Sequence, residues 1–152
     1  MTRYLAFAAL AATTALGTTA LADNHETSDL PAQPQCYVAS GQGVGQYVAT
    51  LPLMVSAGDA KGSIHITHPS IHGDTPIVLS VSGTEQLEVF GGEVTTYVNV
   101  SGGTPMPGSV VMADLHFTTE GNEGDAITDS DADVILNGHH IIENGTVTRC
   151  AE

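Results

Sequence analysis

Three histidines and an aspartate lie close together in the sequence and could bind a transition metal. They are His65, His68, His72 and Asp74. Neutral imidazole suits Zn²⁺ and Cu²⁺, so three such rings near one strand end could hold either ion. His116, from a separate segment, could complete the ligand set. The spacing matches no established zinc signature, and histidines that are simply solvated on an outer face are the alternative interpretation.

The predicted mature N-terminus is a second candidate metal site. If the chain is cut after Ala22, it begins Asp23-Asn24-His25. A free amine, two deprotonated amides and the imidazole at the third position make a square-planar nitrogen set, which suits Cu²⁺ or Ni²⁺. His25 is therefore an accessory candidate for copper. A histidine that stands at this position by chance is the alternative.

One acidic stretch could supply oxygen ligands to calcium, which takes about six to eight of them. It departs from an EF-hand loop, because Val134 stands where that loop needs glycine and His140 where it needs a bidentate glutamate. The two interpretations are a structural calcium site in a loop between strands and a solvated acidic loop. The candidate ligands are Glu120, Asn122, Glu123, Asp125, Asp129, Asp131 and Asp133.

No catalytic constellation is recognisable in the sequence. It contains neither a Gly-x-Ser-x-Gly nucleophile elbow nor a His-Glu-x-x-His motif. The glycine-rich stretch 41–45 is followed by Gln46, where a dinucleotide-binding loop has its third glycine. Asp114 and His116 could form an acid–base pair, but nothing in the sequence places a serine beside them. We therefore expect a protein that is not an enzyme, with a secreted hydrolase as an alternative.

The N-terminus predicts export. Arg3 precedes an apolar run over 5–16, and Ala20-Leu21-Ala22 has the small-x-small pattern that signal peptidase recognises. We expect residues 1–22 to be a signal peptide and the mature protein to be periplasmic, extracellular or at the cell surface, without membrane insertion. Residues 23–35 are polar and contain two prolines, which predicts a flexible tether. Residues 36–152 are then a single domain.

The charge of the chain excludes several partners. Loss of residues 1–22 removes Arg3 and none of the 17 acidic residues, so the net charge changes from −14 to about −15. Lys61 and Arg149 are the only lysine and arginine that remain. Nucleic acids and anionic membranes would be repelled, and phosphate or carboxylate substrates would find few cationic groups. A high negative charge also keeps a protein dispersed in salty water.

Cys36 and Cys150 are the only cysteines of the chain. In an oxidising compartment, a disulfide between them is the expected state. It would join the start of the folded domain to its end. Closing so long a loop stabilises the folded state by about 4–5 kcal/mol, because it restricts the unfolded chain.

Apolar and polar residues alternate in several short runs, which predicts strands with one buried face. Turn signals lie between the runs, among them Ser82-Gly83, and the pairs Asn137-Gly138 and Asn144-Gly145 fit tight hairpin turns. About eight strands with such turns predict an all-β, antiparallel β-sandwich, with a small β-barrel as the alternative. The predicted strands are 46–56, 63–68, 76–82, 86–90, 95–101, 110–117, 133–137 and 145–150.

These observations together favour an exported, non-enzymatic binding or assembly module. An open sandwich has edge strands, to which a partner or a second copy could add a strand, and 23–35 could serve as that strand. A periplasmic metal-binding protein is the alternative, using copper or zinc through the histidines or calcium through the acidic stretch.

Overall fold

Eight strands follow one another along the chain in a computed structural model that describes residues 34–68, 70, 75–121 and 125–151. The predicted signal peptide and most of the predicted tether lie outside these residues. In the described part, no helix is long and apolar enough to cross a membrane. The strands are β1 (Gln35–Gln42), β2 (Val48–Ser56), β3 (Asp59–Thr67), β4 (Ile77–Phe90), β5 (Glu93–Gly103), β6 (Val110–Glu120), β7 (Ile127–Leu136) and β8 (His139–Arg149).

The sheet closes on itself. Each strand pairs antiparallel with the next, and β1 also pairs with β8, from Tyr37 opposite Arg149 to Ser40 opposite Thr146. The prediction of an all-β, antiparallel fold of about eight strands is therefore confirmed. The sandwich is wrong, and the alternative, a small β-barrel, is right. Sandwiches and barrels share the same alternating pattern, and only the pairing of the first strand with the last distinguishes them.

Alternation along each strand fills the barrel interior. On β6, Val111, Ala113, Leu115 and Phe117 are buried, while the residues between them are exposed. Eight strands enclose a space just wide enough for side chains to fill. Most of the core is aliphatic, and Phe117 packs its ring against that of Tyr37 with 4.5 Å between the centroids.

The barrel has two distinct ends. The disulfide end contains the start of β1, the end of β8, the turns at 57–58 and 91–92, the end of β6 and the start of β7. The opposite end, called here the Tyr47 end, contains the connections 43–47, 104–109 and 137–138, the end of β3 and the start of β4. Three buried polar side chains of the interior, those of Glu85, Thr96 and Thr119, lie toward the disulfide end.

The predicted disulfide between Cys36 and Cys150 is confirmed. The two Cα atoms lie 5.4 Å apart across a sequence separation of 114 residues. The backbone N–H of Cys150 also donates a hydrogen bond to the carbonyl of Cys36, at 3.1 Å. The covalent link thus joins β1 to β8 at the place where the barrel closes.

Two predicted turns are wrong. The predicted strands 76–82 and 86–90 are one strand, β4, which passes through Ser82-Gly83 without turning. Gly83 is needed there because a Cβ atom would collide with the carbonyl oxygen of Asn99 on β5. Asn144-Gly145 lies inside β8, beside a register shift in its pairing with β7. Of the two Asn-Gly pairs, only Asn137-Gly138 forms the expected hairpin turn, with φ values of 50° and 81°.

Several further strand boundaries differ from the predictions, including the start of β3 at Asp59 and not at residue 63, and the start of β8 at His139 and not at residue 145. β1 is not predicted by the sequence pattern, because its run contains few large apolar residues. β7 begins at Ile127, although the pattern predicts a strand only from residue 133. The aspartates that precede residue 133 obscure the alternation of β7, because they occupy outer positions between small or polar residues.

Candidate functional site

An apolar cavity of about 260 Å³ opens at the Tyr47 end of the barrel. It is called here the mouth cavity. Ile66 and Leu79 belong to the buried core and form its floor. None of the described side chains that line it carries a charge at neutral pH. The lining residues are Tyr47, Ile66, Ile77, Leu79, Thr104, Pro105, Met106, Ser109, Leu136 and Asn137.

The strand register explains why these side chains meet. Ile66 lies opposite Ile77 where β3 and β4 reach the Tyr47 end, and Leu79 follows Ile77 by one full alternation. Tyr47 comes from the connection before β2, and its ring lies 4.7 Å from that of His68. The inward rows of the barrel therefore reach its mouth as apolar side chains.

A second cavity of about 320 Å³ adjoins the first. The two share Tyr47, Leu136 and Asn137 as lining residues. Val44, His139 and Ile141 complete the lining of the second cavity. The shared residues thus stand between two concave surfaces at the same end of the barrel.

The rim of the mouth is also apolar. Among the described residues, large apolar side chains that remain exposed are concentrated at this end. Met106 is the most exposed of those at the Tyr47 end, at 64 %, and it lies in the connection between β5 and β6, while the more exposed Phe90 lies at the disulfide end. Clustered apolar exposure of this kind marks a binding surface more often than scattered single residues do. The rim residues are Val44, Val48, Ile77, Val78, Met106 and Val110.

The side chain of Asn137, at the mouth, is held in a defined orientation by two hydrogen bonds. The Oδ1 atom of Asn137 accepts hydrogen bonds from the hydroxyl of Ser109, at 2.9 Å, and from the backbone N–H of Val110, at 3.1 Å. A backbone N–H can only donate, so the atom that it contacts must be the amide oxygen and not the nitrogen. The β5–β6 connection and the β7–β8 turn are thereby joined.

The structure places the predicted metal ligands apart or outside the described residues. His65 lies on β3 and shares a 2.9 Å hydrogen bond between its Nε2 and the hydroxyl of Ser63. The Nδ1 atom of His68 accepts a hydrogen bond from the backbone N–H of Ser70. His116 lies on β6, three strands from β3. It is also displaced along the strands, because His65 lies opposite Val78 on β4, whereas Tyr97, which is paired with His116, lies opposite Gln86. His25, His72 and Asp74 lie outside the described residues.

The predicted calcium ligands are likewise divided. Asp129, Asp131 and Asp133 lie on β7 and not in a loop, and alternation places them on its outer face. Glu120 ends β6 and Asp125 precedes β7, while Asn122 and Glu123 lie outside the described residues. No group of three His, Cys, Asp or Glu residues that could hold a metal ion occurs within the described ranges. The histidine and calcium sites stay predictions, which elemental analysis of untagged, chelator-free protein would test.

The acid–base pair predicted from Asp114 and His116 lies on the outer wall of the barrel. Asp114 has Asn99 opposite on β5 and Asp133 opposite on β7, while His116 has Tyr97 and Asp131 opposite. None of these four direct neighbours is a serine. The strand register therefore places no serine directly opposite either residue.

Tyr97, beside His116, has a raised pKa. Partial removal from water is the largest cause, followed by the negative charge of Glu88 and the hydrogen bond to its carboxylate. The hydroxyl of Tyr97 donates this bond to Oε2 of Glu88, at 3.3 Å. All of these effects favour the protonated phenol, because they disfavour a second negative charge.

The pairing of β7 with β8 is irregular and incomplete. Their backbone pairing runs from Leu136 opposite His139 to Ala132 opposite Gly145 and stops there. Beyond it, the hydroxyl of Ser130 accepts a hydrogen bond from the backbone N–H of Val147, at 3.0 Å. A polar groove of about 530 Å³ lies along this stretch.

Closure of the barrel removes the open edges that a sandwich would have offered to residues 23–35. Strand addition by that segment stays a prediction.

Sequence reasoning missed the mouth cavity. The available signals were the adjacent apolar residues Ile77 and Val78, which break the alternation, and Met106 between turn residues.

Comparisons of the chain with protein-family models, curated protein sequences and solved structures return no match.

Proposed function

We propose that this chain is an exported, non-enzymatic β-barrel binding protein, whose mouth cavity takes up a small, neutral, largely apolar molecule. The observation that carries the proposal is the mouth cavity itself, a concave surface with an uncharged lining on top of a packed core. Mouths of β-barrels are common places for small-molecule sites. The signal peptide predicted over 1–22 supports export, and the disulfide is compatible with it.

The chemistry of the lining favours a neutral ligand. Neither Lys61 nor Arg149 contributes to the cavity, so an anion would find no counter-charge there. The strongly acidic chain would in addition repel an anion. A cation would lose its hydration shell without gaining a carboxylate partner from the lining. A neutral molecule avoids both costs.

The size of the cavity limits the affinity. Its volume is close to the lower end of ligand cavities, which is about 300 Å³. Burying about 200 Å² of apolar ligand surface would contribute about 5 kcal/mol, from which the entropic cost of association is subtracted. We therefore expect micromolar or weaker binding, with larger molecules extending into the neighbouring cavity beside Val44.

Titration with the neutral fluorescent dye Nile red tests this proposal. The substitution Met106→Glu places a charge on the rim, and we expect it to weaken dye binding about tenfold. The matched control is Met54→Glu, because Met54 is exposed to a similar degree but lies on β2, opposite Cys36 at the disulfide end. Circular dichroism would check that both variants remain folded.

Two results would contradict the proposal. One is a wild-type protein that does not enhance the fluorescence of the dye. The other is an equal loss of binding in Met54→Glu and Met106→Glu, which would indicate adsorption to apolar surface in general and not occupation of the mouth cavity.

A further inference from the structure

The amide of Asn137 carries its donor and its acceptor on different atoms, and only the acceptor is used within the described part of the mouth. Its oxygen already accepts two hydrogen bonds, from Ser109 and Val110. Its nitrogen, Nδ2, donates to no described residue. Asn137 lines both the mouth cavity and the cavity beside it. A molecule in either cavity would therefore meet a hydrogen-bond donor on this residue, since its acceptor is already in use.

The backbone conformation at position 137 suits asparagine, and two hydrogen bonds then fix its side chain. Asn137 adopts a φ of 50° in the turn between β7 and β8, a conformation that asparagine tolerates better than most residues. The two bonds to its oxygen then fix the plane of the amide. Rotation of the amide would bring its N–H groups against the N–H of Val110, which would leave that donor without an acceptor.

We infer that Asn137 is the specificity-determining residue of the mouth cavity, and that the preferred ligand carries a carbonyl oxygen on an otherwise apolar skeleton. This inference rests on the proposed function. The apolar lining would enclose the hydrocarbon part of a ketone, ester or similar neutral molecule. The N–H groups of Asn137 would donate to its carbonyl oxygen and would discriminate against the plain hydrocarbon.

A matched pair of probes tests the inference. Cyclohexyl phenyl ketone and benzylcyclohexane differ only in a carbonyl group against a methylene group. The affinity of each is measured by displacement of Nile red. The ratio of the two affinities is compared between wild type and Asn137→Asp, so that the different hydrophobicity of the two probes cancels.

The substitution Asn137→Asp keeps an acceptor for Ser109 and Val110 but removes both N–H donors. We expect the preference for the ketone to fall about fivefold relative to wild type, which corresponds to the loss of one hydrogen bond. The control is Asn144→Asp, because Asn144 also has a φ of 50° but lines neither cavity. Its ratio should remain that of wild type.

A second variant, Asn137→Gly, tolerates the positive φ and also removes the donor. It should show the same fall in the ratio, and it replaces the aspartate variant if that variant does not fold. An unchanged ratio in these variants, with both probes still bound, would overturn the inference and leave the proposed function intact. Failure of the wild type to bind the dye and both probes would overturn the proposed function and the inference together.

Discussion

Gly58 and Glu85 are joined by two hydrogen bonds at the disulfide end of the barrel. The backbone N–H of Glu85 donates to the carbonyl of Gly58, at 2.9 Å, and the N–H of Gly58 donates to Oε2 of the Glu85 carboxylate, at 3.2 Å. Glu85 is only 5 % exposed although it is ionisable. The carboxylate therefore ties the turn between β2 and β3 to the wall strand β4.

Removal of this carboxylate should destabilise the fold. For Glu85→Ala we expect a loss of about 2–3 kcal/mol in the free energy of unfolding, because a hydrogen bond to a charged group is lost in a buried place. Glu85→Gln should lose less, since an amide oxygen can still accept from Gly58. Urea unfolding measures both. The exposed Glu143→Ala is the control, and a cost at Glu85 no larger than at Glu143 would contradict the structural role.

A side chain at position 83 should disturb the pairing of β4 with β5. For Gly83→Ala we expect a loss of about 1–3 kcal/mol, because the new Cβ would collide with the carbonyl oxygen of Asn99. Gly103→Ala is the matched control, since a Cβ on that β5 glycine meets no atom within 4 Å. Thermal unfolding followed by circular dichroism compares the two. Equal melting temperatures would show that Gly83 is not required by close approach.

Loss of the disulfide should reduce stability more than any surface substitution. In the double variant Cys36→Ser, Cys150→Ser, the free energy of unfolding should fall by about 4 kcal/mol, because the long loop no longer restricts the unfolded chain. Wild-type protein with a reducing agent should unfold at the same urea concentration as the variant. A difference below about 1 kcal/mol would show that strand pairing alone closes the barrel.

The pKa of Tyr97 should respond to Glu88. Its phenol titrates above the ordinary value of 10.0, because of partial burial and the neighbouring carboxylate. Glu88→Gln should shift the titration to lower pH, though not fully to 10.0, since the partial burial remains. The ring signals of Tyr97 in NMR spectra report the titration, and Glu143→Gln is the control.

The same shift has a defined consequence for stability. Because the folded state holds the Tyr97 proton more tightly than the unfolded state, its contribution is fully present below pH 10.0 and is lost as the pH rises through the folded pKa. Wild type should therefore lose stability above pH 10.0 more steeply than Glu88→Gln. Parallel stability curves for the two proteins over that range would contradict this linkage.

Several local features could be predicted because they depend on neighbouring residues alone. The alternation of Val111, Ala113, Leu115 and Phe117 identifies β6, since a strand turns successive side chains to opposite faces. Asn137-Gly138 identifies a hairpin turn, since both residues tolerate positive φ. Gly83 shows the limit of this reasoning. Its role depends on Asn99 of another strand. In the sequence alone, a glycine that is required by the close approach of another strand therefore looks the same as a glycine in a turn.

The sequence by itself determined that this protein is built of about eight antiparallel strands and that Cys36 pairs with Cys150, because periodicity and cysteine count are local or compositional properties. Only the tertiary structure decided that β1 pairs with β8, since that pairing joins residues more than a hundred positions apart. The mouth cavity follows from that closure. Tyr47, Ile66 and Leu136 lie on separate strands or connections, and no spacing along the chain shows that a closed barrel brings them together.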